Sequence, residues 1–290
     1  MKPVLSFTEK LCATCGDCTT ACTRGCHNVS GSHNVGASQV LSDNHIVEAD
    51  HSSNNTHNVG GMHRIDRATC IACGACVDAC MPGALRIYGE EIDVASAAER
   101  LLEDADFYRQ SGGGVTFSGG EPLLQPDFCA AVMRALKSNG IHIAVDTCGD
   151  IPWSAFEAVL PYTDLFLYDI KHISPQKHEE WTGSQPTRIA ANLQELERRS
   201  APCELRAPII PGFNDDEGTL LAIGRLAASL SNVKCVRLLA YHDMYGGKYD
   251  SIGLRRAMPQ TTPPTAQKMD VVKALLSRVC PNQNVCLSGD

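Results

Sequence analysis

Residues 115–121 read Val-Thr-Phe-Ser-Gly-Gly-Glu, a short strand-like run that ends on two glycines and a carboxylate. Similar apolar runs recur along the rest of the chain, and amphipathic segments separate them. The runs predict five strands, at 115–118, 141–146, 165–170, 203–210 and 233–239. The other segments predict helices, at 94–110, 128–138, 153–160, 187–199 and 217–230. Strands that alternate with helices in this way indicate the parallel βα units of an α/β fold.

In βα units the functional groups gather just beyond the carboxyl ends of the strands. Polar motifs follow four of the predicted strands, namely Gly119-Gly120-Glu121, Asp146-Thr147, Asp169-Ile170-Lys171 and Tyr241-His242. Glycines let a ligand approach the backbone, Glu121 can accept from an ammonium group, and Lys171 can pair with a carboxylate. Each motif alone is more typical of a turn or a surface ion pair, and His242 is equally compatible with a structural role. Their joint placement favours a site for an amino acid zwitterion.

Two four-cysteine runs occupy the beginning of the chain. Their members are Cys12, Cys15, Cys18 and Cys22, then Cys70, Cys73, Cys76 and Cys80, and both runs have the spacing CxxCxxCxxxC. This spacing predicts two 4Fe–4S clusters, each held by three cysteines of one run and the fourth cysteine of the other. Paired zinc sites are the alternative, and the close spacing favours iron. Cys26 has no assigned role, and the six cysteines from Cys129 onward are predicted to be small buried side chains or idle thiols.

The composition changes near residue 90, which predicts a small α+β ferredoxin-like domain at 1–90 and a second domain at 91–290. Residues 26–63 are rich in Ser, Asn, Gly and His and have little apolar periodicity, so they are predicted to form a long polar loop. The tripeptide His-Asn-Val begins there at His27, His33 and His57. Because these histidines match no common zinc spacing, they are predicted to be solvated rather than to bind metal.

The charge balance excludes some classes of partner. Of 290 residues, 25 are Lys or Arg and 33 are Asp or Glu, which gives a formal net charge of −8 and no basic surface for nucleic acid or an anionic membrane. No apolar run reaches the roughly 20 residues that span a bilayer, and the first residues lack a signal-peptide pattern. The regular cysteine runs indicate reduced thiolates that bind metal. A cytoplasmic location is therefore expected.

The sequence resembles the glycyl-radical-enzyme activating enzymes of the radical S-adenosylmethionine superfamily, which include the pyruvate formate-lyase activases. The resemblance is carried by SGGGVTFSGGEPLLQ at 111–125, DTCG at 146–149, DLFLYDIKH at 164–172, PGFNDD at 211–216 and YH at 241–242. The paired cysteine runs are similar to the two-cluster ferredoxin domain inserted in one subfamily. The resemblance implies a radical SAM βα barrel preceded by that domain.

The resemblance also implies ligands and partners. Eight residues would contact S-adenosylmethionine, namely Gly119, Gly120, Glu121, Asp169, Ile170, Lys171, Arg206 and His242. The glycine motif would hold its amino group and the third strand end its carboxylate, while Asp146 and Thr147, with Asp169, would bind a monovalent cation. The implied activity is reductive cleavage of S-adenosylmethionine to a 5'-deoxyadenosyl radical, which takes hydrogen from a glycine of a partner glycyl radical enzyme. Flavodoxin or ferredoxin is the implied electron donor.

One motif of the family is missing. The family binds its catalytic cluster through CxxxCxxC in a loop before the ferredoxin domain, and none of the fifteen cysteines has this spacing. Because Met1 lies where the ferredoxin domain begins in the family, the expected fold is a partial, open barrel without its first strand. A third 4Fe–4S cluster is expected only if that segment is supplied, whether the chain is a fragment, has a misassigned start or belongs to a split enzyme. The alternative function is an iron-sulfur electron-transfer or partner-docking protein without radical activity.

Overall fold

The chain divides into two compact units. The computed structural model describes residues 3–29, 63–242, 245–254 and 261–289, and all structural statements concern these residues. The first unit comprises Met1–Glu91 with Gly246–Arg255, and the second comprises Ile92–Tyr245 with Arg256–Asp290. Each unit has its own hydrophobic core among the described residues.

The first unit contains two antiparallel strand pairs and two short helices. Strand β1 (Val4–Phe7) pairs with β4 (Leu85–Tyr88), and β2 (His27–Val29) pairs with β3 (His63–Ile65). Helices α1 (Asp17–Ala21) and α2 (Ala75–Asp78) each lie inside one cysteine run. The Arg67 side chain donates to the carbonyl oxygens of Leu5 and Ser251, which attaches the later segment of this unit to the strands.

The predicted polar loop at 26–63 is wrong at both ends. His27–Val29 and His63–Ile65 are strands that pair with each other, while residues 30–62 lie outside the described residues. The strands escaped detection because a three-residue strand offers too few positions to show a period of two. Their pairing places His27 and His63, the first residues of the two strands, on the ladder.

The second unit is built on an all-parallel sheet of six strands. In spatial order they are β5 (Gly114–Phe117), β6 (His142–Thr147), β7 (Leu165–Asp169), β8 (Cys203–Ile209), β9 (Val233–Ala240) and β10 (Asn284–Leu287). The five predicted strands are confirmed, and β10 was missed because its four residues are too few to show a pattern. Among the described strands β5 and β10 each have one neighbour, so the sheet is open and the expected α/β fold with an open sheet is confirmed.

Four of the five predicted helices are confirmed, one is divided in two, and the helices at Pro175–Thr182, Tyr245–Ser251 and Ala266–Val279 were not predicted. The single helix predicted at 94–110 is wrong, because two helices, α3 (Val94–Leu102) and α4 (Ala105–Ser111), occupy it. The break falls at Glu103 and Asp104, and Asp favours helix starts over helix interiors. The remaining helices are α5 (Pro126–Ser138), α6 (Trp153–Val159), α7 (Pro175–Thr182), α8 (Thr187–Arg198), α9 (Glu217–Ser229), α10 (Tyr245–Ser251) and α11 (Ala266–Val279). No helix of the described residues is long and apolar enough to cross a membrane.

The two faces of the sheet differ in character. On β8, Leu205 and Ala207 are fully buried in the main core, while Glu204 and Arg206, which alternate with them, point to the opposite face. Arg206 donates to Asp146 on β6 at 2.8 Å, so that face carries ion pairs between strands. The alternation of each strand therefore separates a packed face from a charged face.

A glycine that follows β6 fits tightly against a buried tyrosine. Gly149 has φ +76°, and a Cβ atom there would lie 2.0 Å from the hydroxyl oxygen of Tyr168. That hydroxyl donates to the carbonyl oxygen of Ile189 at 2.7 Å, so it has little freedom to move. Gly183 has nearly the same φ, +74°, with nothing within 4 Å of an added Cβ.

Alanine at these two glycines should separate steric clash from backbone strain. Gly183→Ala should lose about 1–2 kcal/mol of unfolding free energy, because alanine is strained in the left-handed region. Gly149→Ala should lose about 1–3 kcal/mol more, because the added methyl group also forces the buried Tyr168 side chain to move. Denaturant unfolding of the two variants measures the difference. Equal losses would show that Tyr168 moves aside without cost.

Candidate functional site

The two cysteine runs line two separate cavities of about 320 Å³ each. Cys12, Cys15 and Cys18 of the first run line the first cavity together with Cys80 of the second run. The second cavity is lined by Cys70, Cys73 and Cys76 of the second run, by Cys22 of the first, and by Cys26. Each cavity thus receives three cysteines from one run and the last cysteine of the other, which is the arrangement that the spacing predicts.

The loops that carry the first three cysteines of each run have the same local backbone. Thr14 and Ala72 have positive φ, +52° and +53°, and Gly16 and Gly74 follow at +85° and +88°. These conformations turn the chain sharply before α1 and α2 begin. The Thr14 amide donates to Cys12 Sγ and the Ala72 amide to Cys70 Sγ, both at 3.4 Å. Backbone amides therefore already point at the sulfur atoms, as a thiolate ligand requires.

The donor set of both cavities fits an iron-sulfur cluster. Four cysteines of the two runs supply soft sulfur ligands at each cavity, and Cys18 and Cys76 are buried. Burial raises the pKa of Cys76 to about 11 and raises the pKa of Cys18 above its ordinary value, so iron binding must displace their protons. Within the described part of the chain, no group of three cysteines has its sulfur atoms all within 4.8 Å of one another, so the cysteines by themselves do not form a tetrahedral zinc site.

Two histidines lie beside the cavities, because His63 lines the first cavity and His27 lines the second. The prediction that the histidines of residues 26–63 are solvated is wrong for His27, which is 5% exposed, while His63 is half-buried. The Nδ1 atom of His27 lies 2.9 Å from the Nε2 atom of His63. His63 also lies 3.8 Å from Cys12 Sγ through Nδ1 and 3.7 Å from Cys18 Sγ through Nε2. His33 and His57 lie outside the described residues.

In the second unit, Glu121 connects the glycine motif to the end of β6. Its carboxylate accepts hydrogen bonds from the Thr147 hydroxyl at 3.0 Å, the Cys148 amide at 2.9 Å and the Leu123 amide at 3.2 Å. Gly119, at φ +134°, and Gly120 are exposed just before it. Glu121 is therefore engaged by protein donors and holds the exposed glycine backbone next to the strand end.

Charged side chains from three strands meet beyond this point. Asp146 pairs with Arg206 at 2.8 Å, and Asp169 lies 3.6 Å from the Lys171 Nζ atom. Burial raises the pKa of Asp169, the Asp146 charge raises it further, and Lys171 and Arg206 oppose the shift. The Arg206 Nε atom has no partner among the described residues. Each carboxylate has a cationic neighbour, and the Arg206 Nε–H group can still donate a hydrogen bond to a ligand.

A pocket of about 830 Å³ opens at the carboxyl ends of β7, β8 and β9. Asp169, Lys171 and His242 line it together with three aromatic residues, Trp181, Phe213 and Tyr241. Phe213 stacks on Trp181 with ring centroids 4.2 Å apart. Of the other residues predicted to contact a ligand, Ile170 lines a neighbouring pocket, and Gly119, Gly120, Glu121 and Arg206 line neither.

Comparison with known proteins identifies the family. Residues 78–222 match the radical SAM superfamily, and residues 63–86 match a 4Fe-4S binding domain. The choline trimethylamine-lyase activating enzyme of Oleidesulfovibrio alaskensis is 34% identical over 85% of this chain and 72% of its own length. The chain belongs to the glycyl-radical-enzyme activating enzymes of the radical SAM superfamily. The predicted resemblance, the 4Fe–4S clusters and the S-adenosylmethionine cofactor are thus confirmed at the level of the family.

Other relatives in this family agree. The isethionate sulfite-lyase activating enzyme of the same organism is 42% identical over 64% of this chain and 60% of its own length. The crystal structure of a domain of pyruvate-formate lyase-activating enzyme from Bacteroides vulgatus covers 61% of this chain and 100% of that domain, with a TM-score of 0.51 and 27% identity. The chain spans about three fifths of the length of the isethionate sulfite-lyase activating enzymes that it matches.

Sequence reasoning missed a buried asparagine that organises this strand-end pocket. Asn214 is fully buried, and its amide donates to the carbonyl oxygens of Lys171 at 2.8 Å and Pro208 at 2.6 Å. Its side-chain oxygen accepts from the Ile210 amide at 2.8 Å. Asn214 therefore ties the segments that follow β7 and β8. The signal was its place in the motif at 211–216, but a motif does not reveal which member bonds to the backbone.

Paired cysteine replacements test which residues share a cluster. Cys15→Ala with Cys80→Ala removes two ligands of the first cavity alone, so about four irons per chain should remain. Cys15→Ala with Cys22→Ala removes one ligand from each cavity, so the EPR signals of both clusters should change. Iron analysis and EPR after anaerobic reconstitution measure both outcomes. Ligation within each run would reverse them, and Cys129→Ala, outside both cavities, is the control that should keep about eight irons.

Proposed function

We propose that the protein acts in the cytoplasm in the activation of a glycyl radical enzyme. The observation that carries the proposal is the joint presence of two cysteine-lined cavities and a charged strand-end pocket in one radical SAM chain. When bound and reduced by one electron, S-adenosylmethionine supplies a 5'-deoxyadenosyl radical that takes hydrogen from a glycine of the partner protein. The protein's own residues bind and orient the cofactor and hold the clusters that supply electrons.

The strand-end residues suit the zwitterionic end of S-adenosylmethionine. Lys171 lines the pocket and can pair with its carboxylate, while the exposed backbone of Gly119 and Gly120 can contact its amino group. Glu121 acts by holding that backbone in place, because its oxygens already accept from three protein donors. The stacked Trp181 and Phe213 offer an apolar, aromatic wall to the same pocket.

Asp146, Thr147 and Asp169 are proposed to bind a monovalent cation. The support is electrostatic, because the charge of Asp146 raises the pKa of Asp169 and a cation would relieve that repulsion. Arg206 pairs with Asp146 at 2.8 Å and would share this carboxylate with the ion. His242 lies at the pocket rim, where it can contact the cofactor. The two clusters would receive electrons from a flavodoxin or a ferredoxin.

The decisive experiment uses the chain alone and the chain joined to a segment that carries a CxxxCxxC triad. The sequence has no such triad, so the reconstituted chain should hold about eight irons, bind S-adenosylmethionine and release no 5'-deoxyadenosine with dithionite. The joined chain should hold about twelve irons, release 5'-deoxyadenosine and produce a glycyl radical EPR signal on a partner such as choline trimethylamine-lyase.

Two other outcomes would change this proposal. Twelve irons and product from the chain alone would mean that cysteines of unrecognised spacing, such as Cys26, hold a third cluster. Absence of S-adenosylmethionine binding in both forms would favour the alternative of an electron-transfer protein without radical activity. The eight cysteines of the two runs, all of which line the two cavities, already support that alternative.

A single substitution tests the positioning role of Glu121. In Glu121→Gln one carboxylate oxygen becomes an NH₂ group, which faces a protein donor instead of accepting from it. Binding of S-adenosylmethionine, measured by equilibrium dialysis, should weaken about tenfold or more, which corresponds to about 1.4 kcal/mol. Glu157→Gln, at a half-exposed glutamate on α6, is the control. Unchanged affinity in Glu121→Gln would show that the glycine backbone needs no such anchor.

A further inference from the structure

We propose that His63 donates an N–H···S hydrogen bond to the cysteine ligands of the first cavity and thereby raises the reduction potential of the cluster held there. His27 is proposed to fix the ring of His63 in that position. The proposal concerns the ferredoxin-like unit and goes beyond the proposed activation function. Hydrogen bonds to sulfur are one of the means by which a protein sets the potential of an iron-sulfur cluster.

One tautomer of His63 satisfies both the contact with His27 and a contact with sulfur. Its Nδ1 atom faces Cys12 Sγ at 3.8 Å, and its Nε2 atom faces Cys18 Sγ at 3.7 Å. If the Nδ1 atom of His27 donates to the Nε2 atom of His63, the proton of His63 lies on Nδ1, and that N–H group faces Cys12 Sγ. An iron-bound thiolate only accepts hydrogen bonds, so the contact is favourable when the cluster is present. A reduced cluster is more negative and accepts more strongly, which favours reduction.

The ring of His63 is held on two sides. The Nδ1 atom of His27 lies 2.9 Å from its Nε2 atom, and Phe7 contacts it edge-on with centroids 4.5 Å apart. Val29 lies opposite His63 in the β2–β3 ladder, which fixes the backbone of both histidines. His27 is 5% exposed and also lines the second cavity, so the histidine pair spans from one cavity to the other.

The other half of the unit shows that this pair is not required for packing. His63 and Leu5 each precede the first cysteine of a run by seven residues, and His27 and Leu85 each follow the last cysteine by five. Leu5 and Leu85 therefore occupy the corresponding positions of the β1–β4 ladder, where both are 2% exposed. The same scaffold is thus filled by two leucines in one half and by two histidines in the other. The polar pair is an asymmetric addition to a duplicated framework.

Leucine substitutions consequently copy packing that the chain already uses. We would titrate the reconstituted full chain potentiometrically, with EPR detection of both clusters, as wild type, as His63→Leu and as His27→Leu/His63→Leu. Each variant should make reduction of one cluster about tenfold less favourable, which is a shift of about 59 mV to lower potential. The reduction potential of the other cluster should change by only a small fraction of this. His63→Gln, which keeps an N–H donor, should recover part of the shift.

Phe7→Leu is the matched control, because it removes a ring that packs against His63 without removing a donor. An equal shift in Phe7→Leu, or no shift in His63→Leu, would overturn the proposal. A second measurement needs no substitution at all. Wild-type protein labelled with ¹⁵N-histidine should show a weak nitrogen coupling to a reduced cluster by pulsed EPR, and its absence would also overturn the proposal.

The same measurement distinguishes hydrogen bonding from ligation. The ligand atoms of Cys18, His27 and His63 lie within 4.8 Å of one another, a spacing that a single metal ion could also use. A strong nitrogen coupling would mean direct coordination of iron by histidine and would contradict the hydrogen-bond role. Retention of about eight irons in His63→Leu, together with the shifted potential, would support it.

Discussion

The exchange of cysteines between the two runs is the constraint on which the first unit depends. Its buried core consists of Leu5, Cys18, Cys76 and Leu85, so half of the core residues are themselves cavity-lining cysteines. So small a core cannot offset the conformational entropy of the ordered loops, and cluster binding must contribute to folding. Because Cys22 and Cys80 each line the cavity of the opposite run, neither half can complete its ligand set alone.

The second unit depends on a different constraint, the desolvation of charges on the polar face of a parallel sheet. Glu204 is 9% exposed and accepts from Arg237 on the next strand at 2.7 and 3.1 Å, a bidentate contact between β8 and β9. Pairs of this kind add little net stability, but removal of one partner leaves an uncompensated charge. They therefore favour one register of strands, and the same register aligns Asp146 and Asp169 with Arg206. Correct strand order and correct pocket electrostatics follow from the same contacts.

The sequence was sufficient for features with a period or a fixed spacing. The alternation of apolar runs predicted five strands of the sheet, and the CxxCxxCxxxC spacing predicted the exchange of cysteines that both cavities show. It failed for short elements, such as β10 and the β2–β3 pair, because three or four residues carry too little pattern. It also failed for Asn214, whose role arises from backbone carbonyls that come together only in the folded chain. Contacts between distant segments were the part that local patterns could not supply.

The histidines show how a compositional argument can mislead. Polar, histidine-containing stretches are usually solvated, and the tripeptide His-Asn-Val beginning at His27 was interpreted in that way. The duplicated scaffold contains the opposite information, because the position of His27 relative to its cysteine run matches that of Leu85, a core residue. A polar residue at a position where the repeat has a buried leucine must itself be buried, and a buried polar group needs a partner. His63 stands at the position of Leu5 and provides that partner at 2.9 Å. Comparison of the two halves of this duplicated unit is therefore a better guide than composition to the positions where a buried polar residue replaces a core leucine.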